Sequence, residues 1–255
     1  MWIECIKLKR ISRQQSIKYH YMTTINNLEN DTMTFIRDES FAGIGDDPMT
    51  YVSELTPRVF EDRRGSFCEV LKGDLSWIKQ VNRSVSHPGV VRGCHAQKGK
   101  WCQSKLVESL SVPIFDFIVD ARPDSTTFGV SKMYRLDPFK QNKLFVPRGF
   151  LHSFLVPLKS QIDAIFMYYC DNEFNKDSEL CINPKSVLDS RICSLRSWCY
   201  SDPLVDAEFH EAIDGSDDDR IYSEKDLSGM DYDEWMNKIK SAYSNGNLAE
   251  ALWYK

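Results

Sequence analysis

Lys105-Leu-Val-Glu-Ser-Leu-Ser-Val112 and Ile114-Phe-Asp-Phe-Ile-Val119, parted by Pro113, decide how this chain is read. Both runs are too short for a buried helix and are bounded by breakers, so they read as strands. The second alternates poorly, which fits a strand buried on both faces. Outward from them the same grammar repeats. Ser153-Phe-Leu-Val-Pro157 and Ala164-Ile-Phe-Met-Tyr-Tyr169 are apolar runs of strand length. Pro88-Gly89, Arg122-Pro123-Asp124, Pro147-Arg148-Gly149 and Asp171-Asn172 punctuate them. Many short strands at this spacing predict an all-β sandwich or barrel over residues 51 to about 190.

The flanks differ from this centre. Residues 1–50 are polar, with no lasting period of 2 or 3.6, and are expected to form a largely irregular extension. Their start is basic, with Lys7, Lys9, Arg10, Arg13 and Lys18 against Glu4, and has no uninterrupted apolar stretch of a secretory signal. Residues 206–234 hold twelve Asp or Glu against Arg220 and Lys225, which reads as a solvated loop over most of its length. Asp231 and Glu234 then make a capping box ahead of Trp235, Ile239 and Tyr243, and Asn245-Gly246 supplies a stop. One C-terminal amphipathic helix is expected there, its aromatic stripe packed on the β unit.

Composition excludes several classes. The 255 residues are 42% hydrophobic and 27% charged, as in ordinary globules. A chain of this length can bury about three quarters of its unfolded surface. No apolar run approaches the length of a membrane helix. The net charge of −5 argues against nucleic acid as a partner. Eight cysteines without a C-x-x-C pair indicate a reducing compartment, so the expected location is cytoplasmic.

Two stretches carry candidate chemistry. They are Gly89-Val-Val-Arg92-Gly93-Cys94-His95-Ala-Gln97, followed by Gln103-Ser-Lys105, and Val146-Pro147-Arg148-Gly149-Phe150-Leu151-His152-Ser153-Phe154. Arg92 and His95 are an odd number of residues apart. Both can face a barrel lumen only if the strand bends or bulges, as Gly93 permits. Taken singly, each histidine reads as a satisfied turn residue. Clustered with Arg92 and Lys105, the two suggest an anion pocket with a base inside it.

These stretches resemble the dTDP-4-dehydrorhamnose 3,5-epimerases, sugar-nucleotide enzymes on a cupin fold. The resemblance begins at Phe60-Glu-Asp-Arg-Arg64-Gly65-Ser-Phe67-Cys-Glu69 and runs through Gln80-Val-Asn82 and the Arg92–His95 stretch. It continues through Phe115-Asp116, Ser125-Thr-Thr-Phe128-Gly129 and Phe166-Met-Tyr168-Tyr-Cys170, and returns at Tyr222-Ser223-Glu224-Lys225-Asp226. It implies a double-stranded β-helix, or jelly-roll barrel, over residues 51–226. An insertion is implied at about 181–221, and a helical extension at 227–255. Ala96, Pro113 and Phe174 depart from residues the family usually carries.

The implied activity is epimerisation of a nucleotide-linked 4-keto-6-deoxyhexose at C3 and C5, with a single-carbon epimerase on a related nucleotide ketosugar or a non-catalytic cupin binding nucleotide sugars as the alternatives. His95 matches the base, Asp226 its carboxylate partner, Tyr168 the acid, and Lys105 the cation for the enolate oxygen. Arg64, Glu69, Gln80, Asn82, Arg92, His152, Glu179 and Lys225 match or fit substrate contacts, with Asp116 as a second carboxylate inside the barrel. No cofactor is implied. Metal-bearing cupins pair two histidines one residue apart, and Ala96-Gln97 follows His95, so no catalytic metal is expected. By analogy a homodimer is expected, built by sheet extension over exposed strand edges.

Overall fold

A computed structural model describes residues 33–38, 51–188 and 220–255. Most of the residue 1–50 extension and of the 181–221 insertion lie outside the described residues, as do Cys5, Cys193 and Cys199. Two antiparallel sheets face each other. The larger contains β1 (Met33–Arg37), β2 (Ser53–Pro57), β5 (Gln80–Ser86), β7 (Lys105–Ser109), β10 (Lys143–Val146) and β12 (Ala164–Cys170), in the order β1-β2-β10-β7-β12-β5. The smaller contains β6 (Val91–Gln97), β8 (Ile114–Asp120), β9 (Ser131–Leu136), β11 (Phe150–Leu155) and β13 (Glu179–Cys181), in the order β13-β6-β11-β8-β9. A separate hairpin joins β3 (Val59–Asp62) to β4 (Gly65–Cys68). This is the jelly-roll arrangement expected from the sequence.

Alternation along β8 shows how the core is divided. All seven residues of β8 are buried. Ile114 and Ile118 join Val107, Leu144, Phe154 and Phe166 between the sheets. Phe115, Phe117 and Val119 point the other way, into a cluster with Trp235, Met236, Ile239 and Trp253. Strand β8 therefore has apolar residues at both parities because it is covered by a sheet on one side and the C-terminal segment on the other. Asp116 shares the inner parity and is completely buried.

The C-terminal segment comprises α1 (Glu224–Leu227), α2 (Tyr232–Ser244) and α3 (Leu248–Ala251). The Asp231 side chain accepts from the Glu234 amide and starts α2, and Gly246 at φ 75° follows its end, as the capping box and stop signal require. Trp235 and Ile239 are buried, but Tyr243 is 39% exposed and drops out of the expected stripe. Tyr232, Met236 and Ala242 complete the buried face instead. No helix among the described residues is long and apolar enough to cross a membrane.

Of residues 1–50 the structure describes 33–38, and these hold strand β1. Met33–Arg37 pairs with β2 from Met33↔Pro57 to Arg37↔Ser53. Five residues are too few to reveal a period in a polar setting, and the strand is held by ladder hydrogen bonds to a partner far along the chain. The Asp120–Arg122 pair is also buried. The guanidinium makes two 2.8 Å bonds to the carboxylate and lies over the Phe150 ring, which satisfies charges that burial would otherwise penalise.

Candidate active site

The inner faces of the two sheets bound a cavity of about 530 Å³. His95, Arg92 and His152 reach it from the smaller sheet, and Lys105 and Tyr168 from the larger. A second cavity of about 460 Å³ shares His95, Lys105 and Tyr168 and adds Gln80, Asn82 and Glu179. These three shared side chains stand where the two spaces adjoin.

A bulge puts Arg92 and His95 on the same side. In the β6–β11 pairing His95 lies opposite His152, while Arg92 lies opposite Phe154. Strand β6 thus uses three steps where β11 uses two, and the extra residue restores the inward parity of both side chains. Gly93 sits in this bulge at φ 110°, and a Cβ there would lie 2.6 Å from the His152 carbonyl oxygen. Alanine at this position meets backbone as well as an unfavourable φ. The expected result for Gly93→Ala is a loss of about 2 kcal/mol or more. A thermal melt should register this as a drop of about 4–8 °C. An unchanged melting temperature would mean that the bulge is not held as described.

His95 Nε2 donates to Asp226 Oδ1 at 2.7 Å. Asp226 comes from α1, whose N-cap is Ser223, with the Ser223 hydroxyl accepting from the Asp226 amide at 3.0 Å. That cap turns the chain so that the carboxylate faces β6. Burial pushes the Asp226 carboxyl up. The hydrogen bond and charge of His95 outweigh it, helped by the Ser223 hydroxyl and Gly93 amide, and hold it below its ordinary value. A depressed carboxylate stabilises the fold fully above its unfolded value of about 3.9 and loses that contribution as pH falls through the lower folded value. Wild type is therefore expected to exceed Asp226→Asn in stability at pH 7, with the gap shrinking below about pH 4. Urea unfolding at the two pH values checks this; a gap independent of pH contradicts it.

A second imidazole–carboxylate pair lies deeper. His152 Nε2 and Asp116 Oδ2 are 2.7 Å apart, and Asp116 Oδ1 is buried without a hydrogen-bond partner. Burial raises the Asp116 carboxyl, against the opposing charges of His152 and Lys105. Burial likewise raises the Tyr168 hydroxyl, while the Arg92 guanidinium pulls it the other way. Tyr168 is consequently a neutral phenol at pH 7, with a proton to give. Phe154 and Phe166 form the apolar wall beside it, their ring centres 4.5 Å apart.

The remaining predicted residues divide by location. Arg92 is steadied by Ser86 Oγ at 2.9 Å and the Val85 carbonyl at 3.2 Å. Lys225 lines the first cavity and pairs with Glu179, which lines the second, at 2.6 Å. Gln80 and Asn82 project from β5, joined to each other at 2.8 Å, and Gln80 also accepts from the Phe174 amide at 2.7 Å. Arg64 and Glu69 do not join them. Arg64 is 84% exposed on the β3–β4 hairpin, paired with Asp62, and Glu69 pairs with Lys72 at 3.0 Å. Neither lines the two cavities. Sequence reasoning gave no role to His87 and Tyr222 on the cavity wall, to the Ser223 cap, or to Cys181 beside the dyad, although Tyr222 and Ser223 fall within a quoted motif. The acidic Asp163 held by His87 at 2.8 Å had no motif to reveal it.

Comparison with known proteins agrees with this architecture. The family model for dTDP-4-dehydrorhamnose 3,5-epimerase matches residues 48–233. The Escherichia coli dTDP-4-dehydrorhamnose 3,5-epimerase is 37% identical over 144 residues, covering 52% of this chain and 76% of that relative. A crystal structure of the Elizabethkingia anophelis enzyme of the same name superposes with a TM-score of 0.59 at 31% identity, over 80% of this chain and 98% of that one. The Legionella pneumophila dTDP-6-deoxy-D-glucose-3,5-epimerase, solved in complex with dTDP-4-keto-L-rhamnose, superposes with a TM-score of 0.55 at 28% identity, over 78% and 92%. With a family match across most of its length, on a jelly roll holding an imidazole–carboxylate pair opposite a phenol, this chain belongs to the dTDP-4-dehydrorhamnose 3,5-epimerase family.

Proposed function

We propose that this protein epimerises a dTDP-linked 4-keto-6-deoxyhexose at C3 and C5, converting dTDP-4-dehydro-6-deoxyglucose to dTDP-4-dehydrorhamnose. The observation that carries this reading is the position of His95 and Tyr168 on facing sheets around shared space. Each inversion removes a proton alpha to the C4 ketone and returns one to the opposite face. Asp226 accepts from His95 Nε2–H, which keeps the lone pair on Nδ1 and makes that atom the base. The carboxylate then steadies the imidazolium that forms. Lys105, a compact cation on the wall opposite His95, stabilises the negative charge growing on the C4 oxygen. Tyr168 delivers the proton across the ring, and Arg92 steadies the phenolate left behind. The imidazolium then releases its proton to solvent and the phenolate regains one, and the same cycle at C5 completes the reaction without any redox change.

The other residues bind. Arg92 and Lys225 suit the diphosphate, and His152, held by Asp116, suits the sugar. Gln80, Asn82 and Glu179 line the adjoining cavity and suit the nucleoside end. Arg64 and Glu69 stand outside both cavities in one copy, so we assign them to a site completed by pairing. The hairpin of one copy, with Phe60 at 43% and Phe67 at 66% exposure, reaches the cavity of a second. The exposure of Val81 and Val85 on the edge strand β5 supports a homodimer extended there. We assign catalysis to residues 51–226, with 227–255 as a packed extension. We place the protein in the cytoplasm because its five described cysteines are all free.

Proton NMR of the ketosugar nucleotide incubated with the protein in D₂O tests this function. Deuterium is expected at both C3 and C5, with inverted product. Exchange at one carbon would establish a single-carbon epimerase, and no exchange at either would overturn the reading in favour of a nucleotide-sugar binding protein.

A further inference from the structure

Cys181 has no part in the chemistry above, yet it lies against the dyad. It sits directly opposite His95 in the β13–β6 pairing, and its Sγ is 3.7 Å from Asp226 Oδ1. One ligand atom from each of His95, Asp226 and Cys181 lies within 4.8 Å of the other two. We propose that these three atoms form a site for a borderline-soft divalent cation of the Zn²⁺ class, and that occupancy switches the base off.

The donor set favours that class. One thiolate, one imidazole and one carboxylate are zinc ligands, whereas Ca²⁺ and Mg²⁺ take oxygen ligands. A tetrahedral zinc site with these bond lengths spaces its donors by about 3.4 Å. The 3.7 Å Cys181–Asp226 separation is close to this, the 2.7 Å His95–Asp226 contact opens once its proton is gone, and the His95–Cys181 separation, within 4.8 Å, adjusts as the ion is gripped. Three ligands come from three elements, β6, β13 and α1, and leave a fourth position for water. His95 and Asp226 line the 530 Å³ cavity, which gives the ion a route in. The neighbouring Lys225 charge is compensated by Glu179 at 2.6 Å.

Binding rearranges protons in a defined way. The Cys181 thiol releases its proton to solvent, and sulfur donates to the metal. The imidazole gives up its Nε2 proton and takes one on Nδ1, with the Nε2 lone pair passing to the metal. Asp226 donates through Oδ1. The Nδ1 lone pair that removes the substrate proton is then no longer free. The effect on catalysis rests on His95 being the base; binding itself does not.

The test uses the full chain, with Co²⁺ as a spectroscopic stand-in and Zn²⁺ for function. Wild type is expected to bind one equivalent of Co²⁺ at this site, with a thiolate-to-cobalt charge-transfer band. The band is expected to persist in Cys68→Ser and vanish in Cys181→Ser. Zn²⁺ is expected to suppress deuterium exchange by wild type at least tenfold, reversibly with a chelator. Cys181→Ser should exchange at the wild-type rate without metal and need at least tenfold more Zn²⁺ for the same suppression. A band of equal strength in Cys181→Ser, or no cobalt binding, would overturn the site and leave the epimerase reading intact. Cobalt binding with unimpaired exchange would overturn the switch. A metal-free wild type without exchange would instead overturn the epimerase reading, with the cobalt band still reporting the site.

Discussion

His95→Ala is expected to lower kcat for epimerisation by about a hundred- to ten-thousand-fold, the usual contribution of a positioned general base. KM should change much less, because the diphosphate and nucleoside contacts assigned to Arg92, Lys225, Gln80 and Asn82 remain. Three effects combine in the loss. The lone pair on Nδ1 disappears, the imidazolium that Asp226 would stabilise cannot form, and water entering the space is a far weaker base. The variant also leaves the Asp226 carboxylate, only 5% exposed, without its imidazole partner. Steady-state kinetics with the ketosugar nucleotide decide the matter, with circular dichroism to show that the variant is folded. A folded His95→Ala protein with wild-type kcat would remove His95 from the reaction.

Much of this architecture could be read from the residues. The runs read at 105–112, 114–119, 153–157 and 164–169 overlap the strands at 105–109, 114–120, 150–155 and 164–170, because each is a short, mostly apolar run closed by a breaker. The odd spacing of Arg92 and His95 called for a bend or a bulge, which Gly93 permits, and the pairing of β6 with β11 contains a bulge. The inward position of Asp116 follows from the alternation of β8. What escaped depended on contacts distant in sequence. Asp226 lies 131 residues from His95, and only the family resemblance linked them. Cys181 faces His95 through a three-residue strand whose register no local pattern announces. A search for paired histidines looks along one strand, whereas the donor set we propose from His95, Cys181 and Asp226 is gathered from three elements. Met33–Arg37 was hidden for a related reason, since its partner strand supplies what its own five residues cannot. Arg64 and Glu69 carry a recognisable motif, yet neither lines the two cavities, because a motif does not fix where its hairpin lies.

Tyr168→Phe carries the second large effect. The phenol is the only proton donor assigned to the face opposite His95, and burial keeps its proton on at neutral pH. Removing one oxygen leaves the ring to pack on Phe166, whose centre is 5.5 Å away, so the fold and substrate affinity should survive. Inversion is expected to slow by about a hundredfold or more while KM stays near wild type. Equal losses in binding and turnover would make Tyr168 a packing residue.

Because abstraction and return are assigned to different residues on different sheets, this variant should separate them. His95 still removes the proton, exchanges it with solvent and returns it to the face it came from. The most direct measurement is therefore the NMR spectrum of the ketosugar nucleotide recovered after incubation with Tyr168→Phe in D₂O. The predicted result is deuterium at the carbons alpha to the ketone with their original configuration kept. Inverted, deuterated product formed at the wild-type rate would contradict the placement of base and acid on opposite sides of the sugar.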